Sequence, residues 1–275
     1  MSVLSGGGST SGAASRVAQN SVLERFARAG FVMTGIVHLI IGYIAIRIAL
    51  GGAGGTADQA GAMAELAARP GGRIALWAGV VAFVAMALWR LAEAVFGSAS
   101  KPDRDDPKRE AFRRVKALAL AAIYAAFALS AFGFARGSGR SSGGESAGLT
   151  ARLMQHTAGT IALVVAGLVI VAVGGYHVYK GATGKFLDDL RGPTGTWVRR
   201  IGVGGYLAKG LAVGAVGILV ILAVTRSEPD KAGGLDAALK TLGAQPYGVV
   251  LLIVAGLGII VYGIHCFVMA RFAKM

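Results

Sequence analysis

Seven side chains carry charge or a titratable ring inside stretches that are otherwise apolar: His38, Arg47, Arg90, Glu93, His177, Lys209 and His265, with Lys180 at the edge of another. Such groups are costly in hydrocarbon, so each is a default candidate for function. In one use they line a cavity facing the cytoplasm, the side toward which all of them but Arg47 fall. In the other they are structural: Arg90, Lys180 and Lys209 extend to headgroups on one face and Arg47 on the other, Arg90 pairs with Glu93 three residues on, and the histidines stay neutral between helices. Imidazole also ligates zinc, copper and haem iron, and His38, His177 and His265 sit at comparable depths in three stretches. Yet no span holds a His-x-x-x-His pair, no Cys–His grouping has ligand spacing, and acidic ligands are scarce. No metal or cofactor is therefore expected. His156, just before the fourth stretch, reads as a solvated cap residue.

Catalytic motifs fail on inspection. Gly181-Ala182-Thr183-Gly184-Lys185 looks phosphate-binding, but Tyr179 stands where the first glycine of a Walker loop belongs and Phe186 where its Ser or Thr belongs. Neither HExxH nor GxSxG occurs. The expectation is a protein that is not an enzyme.

The elements that position these residues are membrane helices. Of 275 residues, 55% are hydrophobic and only 15% charged, with 43 glycines; a soluble domain is usually about a quarter charged. Six apolar runs stand out: Ala29–Leu50, Ile74–Phe96, Val115–Ala135, Thr157–Tyr179, Ile201–Val224 and Tyr247–Ala270. Runs of about 20 residues, at 1.5 Å each, cross roughly 30 Å of hydrocarbon. They must be helical, because lipid satisfies no backbone amide or carbonyl. Residues 1–24, rich in Ser, Gly and Ala, read as a disordered tail without a cleavable signal, leaving the first span as the insertion signal. Cys266 is the lone cysteine, which excludes an internal disulfide.

The net charge is +14, and its distribution argues for topology rather than nucleic acid. The tail, second loop, fourth loop and C-terminus hold seventeen Lys and Arg, whereas the opposite side holds eight. The positive-inside rule then puts both termini in the cytoplasm of a cell-membrane protein. The basic face should attract anionic headgroups, and no nucleic-acid module accompanies it.

The odd spans align through Gly35 and Gly42, Ala121 and Ala128, and Gly210 and Gly217, with offsets of 86 and 89. The even spans align through Gly71 and Gly79, Gly159 and Gly167, and Gly248 and Gly256, with offsets of 88 and 89. Positions seven apart share a helical face, and small residues there let membrane helices approach closely. Gly35, Gly42, Gly79, Gly167, Gly210, Gly217 and Gly256 are the expected packing residues; Gly210 and Gly214 add a GxxxG pair. Each copy begins on the same side, so the copies are parallel and any pseudo-symmetry axis follows the membrane normal.

The openings Arg25–Ile46 and Arg199–Val220, with the helix endings Trp89–Gly97 and Gly256–Phe267, resemble the DUF1206 family, membrane proteins of actinobacterial type whose repeat is a pair of spans. The resemblance covers about 25 to 272 and implies an all-α, six-span bundle of three tandem two-helix repeats. It supplies no catalytic residue. The middle copy departs from it, with alanine at both aligned glycine positions. The chain divides into a tail (1–24), repeat one (25–97), a linker (98–114), repeat two (115–186) and repeat three (187–272).

Among the loops, Ala60–Ala67 and Leu235–Leu242 read as short amphipathic helices lying on the outer surface. Residues 137–148 read as an outer loop, with no helix assigned there. Residues 98–114 offer the best surface for a protein partner. The sequence thus supports a non-catalytic structural or interaction component of the membrane, contacting lipid and open to a protein partner. A transporter or channel for a small solute, lipid or ion, and a His-ligated redox subunit, remain as alternatives.

Overall fold

The computed structural model describes residues 21–52, 55–96, 107–192 and 195–274. Residues 1–20 of the expected tail and 98–106 of the expected linker lie outside them. The helices are α1 (Ser21–Ala49), α2 (Gln59–Ala67), α3 (Gly72–Phe96), α4 (Pro107–Ala135), α5 (Ser142–Leu153), α6 (Thr157–Ala182), α7 (Thr196–Thr225), α8 (Gly234–Gly243) and α9 (Gly248–Phe272). Six are long and apolar enough to span a bilayer: Arg28–Ala49, Gly72–Val95, Glu110–Ala135, Thr157–Ala182, Thr196–Thr225 and Gly248–Phe272. The protein is a multi-pass membrane bundle in which long, short and long helices alternate three times.

Local chemistry sets the ends. Pro107 opens α4 at a position where a missing N–H costs nothing, and Glu110 in its first turn pairs with Arg114 at 2.5 Å. Helix α4 therefore begins inside the stretch read as linker. Asp58 caps α2 by accepting the Gly61 amide at 2.7 Å. Helix α5 occupies most of the outer loop at 137–148, to which the sequence assigned no helix: Ser141 caps it weakly, through the Gly144 amide at 3.4 Å, with Glu145 in its first turn and Arg152 in its last. Helices α2 and α8 do not simply lie on the surface either. Met63 is fully buried and Leu239 nearly so, which wedges both helices into the bundle end.

The long helices pair between repeats rather than within them. The most extensive seams are α3 with α4, α6 with α7, and α9 with α1. Each joins the second long helix of one repeat to the first of the next, with the third repeat returning to the first. Helix α1 also packs on α3, and α7 on α9, but no comparable packing joins α4 to α6 among the described residues. The triplicate ring is open at the middle repeat. Half of the α1 span is buried, against 17% of the α6 span, so α1 is central and α6 peripheral.

Two seams are closed by glycine. A Cβ on Gly42 would lie 2.5 Å from the Gly256 carbonyl oxygen, and one on Gly35 would lie 2.9 Å from that of Gly263. Across α6 and α7, a Cβ on Gly167 would lie 3.1 Å from the Gly217 carbonyl oxygen and one on Gly210 would lie 2.7 Å from that of Gly174. The third seam uses Ala121, Ala128 and Ala131, all buried, with Phe83, Tyr124 and Phe127 in ring contact. Gly79 sits outside it, its open side against Met33 of α1.

The helix ends nearest the termini lie together. Arg28 of α1 donates to the carbonyls of Ala270, Arg271 and Ala273 at 2.9 to 3.1 Å. The last residues are held by a bridge between Leu190 and Ala273 and by the Lys274 amide donating to the Asp189 carbonyl at 2.8 Å. The short helices gather at the other end, where the Ala57 amide donates to Asp236 of α8 at 2.8 Å.

Candidate functional site

His38 lies near the middle of the α1 span, and His177 near the end of the α6 span. Each Nδ1 sits 2.8 Å from the carbonyl four residues back, Thr34 and Val173 respectively. A carbonyl only accepts, so each Nδ1 carries a hydrogen. Lys209, mid-way along α7, does not extend to a headgroup. Its Nζ donates to the Tyr262 hydroxyl of α9 at 2.6 Å and stands 4.4 Å from that ring's centroid.

Aromatic rings join these groups. His38 meets Tyr262 edge-on at 4.9 Å between centroids. Tyr206 stacks on Phe186 at 5.2 Å and on His177 at 5.9 Å. His265 points edgewise at Tyr206 and Phe186, at 5.2 and 5.4 Å. It is 1% exposed, and neither ring nitrogen has a partner among the described residues. Four of the six site candidates, His38, His177, Lys209 and His265, thus belong to one interior cluster.

Arg90 and Glu93 form a pair of their own at 2.6 Å, with no hydrogen bond or ring contact to that cluster among the described residues. Arg47 lies 3.6 Å from Glu65 of α2 instead of reaching past the bundle. Lys180 is buried, ion-paired with Asp189 and 5.4 Å from the Tyr206 centroid. His156 takes the N-cap position of α6 without a side-chain cap bond and is exposed. The sequence reading passed over Tyr206, Tyr262 and Phe186. A signal for the tyrosines existed: Tyr206 precedes Lys209, and Tyr262 precedes His265, by three residues, which puts each pair on one helical face.

A cavity of about 740 Å³ opens beside His38, bounded by α1, α4, α5 and the start of α8; it opens at the short-helix end, away from the termini, and not on the side where the sequence reading put a cavity. Its walls include Val37, Ile41 and Phe127, and its polar end carries Asp58, Gln59, Ser142 and Glu145. His38 lines it too, so it reaches mid-span. Leu129 and Leu149, which also line it, are 72% and 59% exposed on the bundle flank. Burial pushes the Asp58 carboxyl above its ordinary value, Asp236 nearby adds to the shift, and the Gly61 amide opposes it. Among the described residues no three of His, Cys, Asp and Glu gather as metal ligands.

The profile of a Domain of Unknown Function (DUF1206) matches three tandem regions, 29–97, 115–184 and 204–273. The chain belongs to the DUF1206 family. A protein of Bacillus subtilis (strain 168), called Uncharacterized protein YxxB, is 25% identical over 259 residues, covering 92% of each chain. No solved structure matches. The DUF1206 regions begin at spacings of 86 and 89 residues, the offsets read from the glycines of the odd spans. Each repeat contributes to the interior cluster: the first gives His38, the second His177, and the third Tyr206, Lys209, Tyr262 and His265. None recurs at its equivalent position. Lys209 corresponds to Thr34 and Leu120, His38 to Tyr124 and Val213, and His177 to Trp89 and Cys266. The site is private to this arrangement of three diverged copies.

Proposed function

We propose that this DUF1206 protein is a non-catalytic carrier of the cell membrane, with both termini in the cytoplasm, that takes a small solute or lipid into the cavity beside His38. The observation that carries the reading is a cavity of about 740 Å³ running from polar loops to a histidine in mid-span. Ligand cavities commonly measure about 300–1,000 Å³, with apolar walls and a few polar groups. A purely structural bundle would have a sealed core, with Lys209 directed at headgroups. Lys209 is instead held inward by Tyr262. The orientation rests on the seventeen-to-eight excess of Lys and Arg, and the same basic face would hold anionic headgroups.

A structural or interaction role is the second reading, favoured by the two glycine seams, which make a rigid scaffold. Thiol accessibility separates the two. Cys266→Ala gives a cysteine-free chain, since Cys266 is the single cysteine. On that background Ser130→Cys lines the cavity and Val165→Cys faces lipid. In intact cells a membrane-impermeant maleimide should label the first and spare the second. Labelling of Ser130→Cys only in inverted vesicles would reverse the orientation. Its absence from both preparations would remove the cavity and leave the scaffold.

A further inference from the structure

The charged groups that act on Lys116 of α4 are Lys180, Asp189, Arg90 and Glu93. They match one another, Lys180 with Asp189 and Arg90 with Glu93. Lys116 is left over. Among the described residues it makes no ion pair or hydrogen bond, and its Nζ stands 5.9 Å from the centroid of the Tyr176 ring on α6. Lys116 is exposed, and it is the second residue of the apolar run Val115–Ala135. That is the depth of the headgroups, where a lysine reaches water, keeps its charge and attracts anionic lipid. Tyr176 is half exposed, and its hydroxyl has no hydrogen-bond partner among the described residues.

The contact between Lys116 and Tyr176 crosses a gap. Helices α4 and α6 are the long helices of the middle repeat, and they lack the packing that joins the long helices of the other two repeats. The faces that carry Lys116 and Tyr176 continue along both helices. Ile123 lies seven residues beyond Lys116, and Val173 and Val169 lie three and seven residues before Tyr176, so each shares a face with its polar residue. All three are exposed. From the end nearest the termini inward, the gap is thus a lysine and a phenol followed by apolar walls that no described helix covers. This groove is distinct from the cavity at His38, whose lining contains neither Lys116 nor Tyr176.

We propose that the groove holds one anionic phospholipid, with its phosphodiester between the Lys116 ammonium and the Tyr176 hydroxyl and an acyl chain along Ile123, Val173 and Val169. The lipid supplies both things the gap lacks: a negative charge for the unmatched lysine and hydrocarbon for the walls. A zwitterionic lipid carries its own cation, and a soluble phosphate has nothing for the walls. A second copy of the chain, at net charge +14, would add charge of the same sign. The lipid stands where a third packing between long helices would close the ring.

The test is native mass spectrometry of the full-length chain in mild micelles, titrated with phosphatidylglycerol or phosphatidylcholine. The first phosphatidylglycerol should bind roughly five- to tenfold more tightly than the first phosphatidylcholine, the scale of one charge-assisted contact at a membrane surface. Lys116→Gln should bring it down to the phosphatidylcholine level, and Lys116→Arg should keep most of the difference. Tyr176→Phe keeps the ring and removes the donor, so it serves if Lys116→Gln does not fold; it should weaken binding several-fold. Lys185→Gln is the control. It removes the same charge from an exposed residue just past α6 that is held on Tyr179, and it should bind like the parent. Parent-like binding in Lys116→Gln, or an equal loss in Lys185→Gln, leaves only a diffuse basic surface and overturns the site. Equal affinity for the two phospholipids overturns the recognition of charge. Displacement by glycerophosphate overturns a lipid as the occupant, and a dimer that sheds phosphatidylglycerol puts a second copy in the groove instead.

Discussion

Replacing Gly42 with alanine adds one methyl group at the seam between α1 and α9. That carbon would stand 2.5 Å from the Gly256 carbonyl oxygen and 2.6 Å from Ile260 Cγ1. Ordinary contact begins near 3.4 Å, so the helices must part by roughly 0.9 Å along a seam where backbone meets backbone. Overpacking of this kind costs about 1–3 kcal/mol, and the upper part of that range applies because the obstructing carbonyl cannot rotate away. Alanine returns up to about 1 kcal/mol as the better helix former. The net expectation for Gly42→Ala is a loss of about 1–2 kcal/mol. Gly175 supplies the control: it lies on the same kind of helix, but a Cβ there meets nothing within 4 Å. Gly175→Ala should be neutral or slightly stabilising. Unfolding of the purified full-length chain, by titrating a denaturing detergent into mild micelles, measures both. Parent-like resistance in Gly42→Ala, with a loss in Gly175→Ala, would show that the seam is not set by backbone approach and would refute the packing argument.

Arg28→Ala removes three bonds to the carbonyls that end α9; it should cost about 1–2 kcal/mol and show as faster hydrogen exchange in the last turn of α9. For Asp58, burial raises the folded carboxyl above its ordinary 3.8, so its ionised form is less favourable in the fold than in the unfolded chain. Its contribution therefore rises as pH falls through the folded value and is complete below the ordinary one. Asp58→Asn should abolish that rise, matching the parent at the acid end and exceeding it near neutral pH, and Asp58→Ala should fall about 1 kcal/mol below Asn through loss of the cap. Both are read from detergent unfolding across about pH 4 to 8. Tyr247 adopts φ of 63° just before α9 and is 85% exposed; Tyr247→Gly should stabilise by up to about 1 kcal/mol in the same assay, and a loss would place the ring in an unseen contact.

The six spans and the triplication were legible because both are one-dimensional signals: apolar length, and glycines returning at fixed offsets. Helix α5 was not legible. Its sequence, Ser142 to Leu153, is rich in Ser and Gly and has no apolar stripe, so what holds it is packing on the turn at Pro229–Ala232 and on α8. The histidines and Lys209 were singled out as costly residues. Their meeting was hidden, because it depends on α9 returning to α1 and on α6 pairing with α7, and neither pairing is written in any single span. Tyr262, fifty-three residues away, is what keeps Lys209 inside. Arg90 and Glu93 were legible as a pair because both lie on one helix.

Triplication also accounts for where the cavity stands. A closed ring of three equal repeats would seal each long helix against its neighbours by the same small-residue contact. Two of the three seams between repeats keep that contact in glycine, Gly42 with Gly256 and Gly217 with Gly167. The seam between α3 and α4 has alanine in its place, with the rings of Phe83, Tyr124 and Phe127 around it. A methyl group in place of hydrogen forbids the closest backbone approach, and rings need still more room. Helix α4 is the one held by this looser seam, and it is also the one that lacks packing on its own repeat partner, α6. The same helix forms a wall of the cavity through Phe127, Leu129 and Ser130. The middle copy, which carries alanine at the aligned positions, is thus also the one whose first long helix walls the cavity.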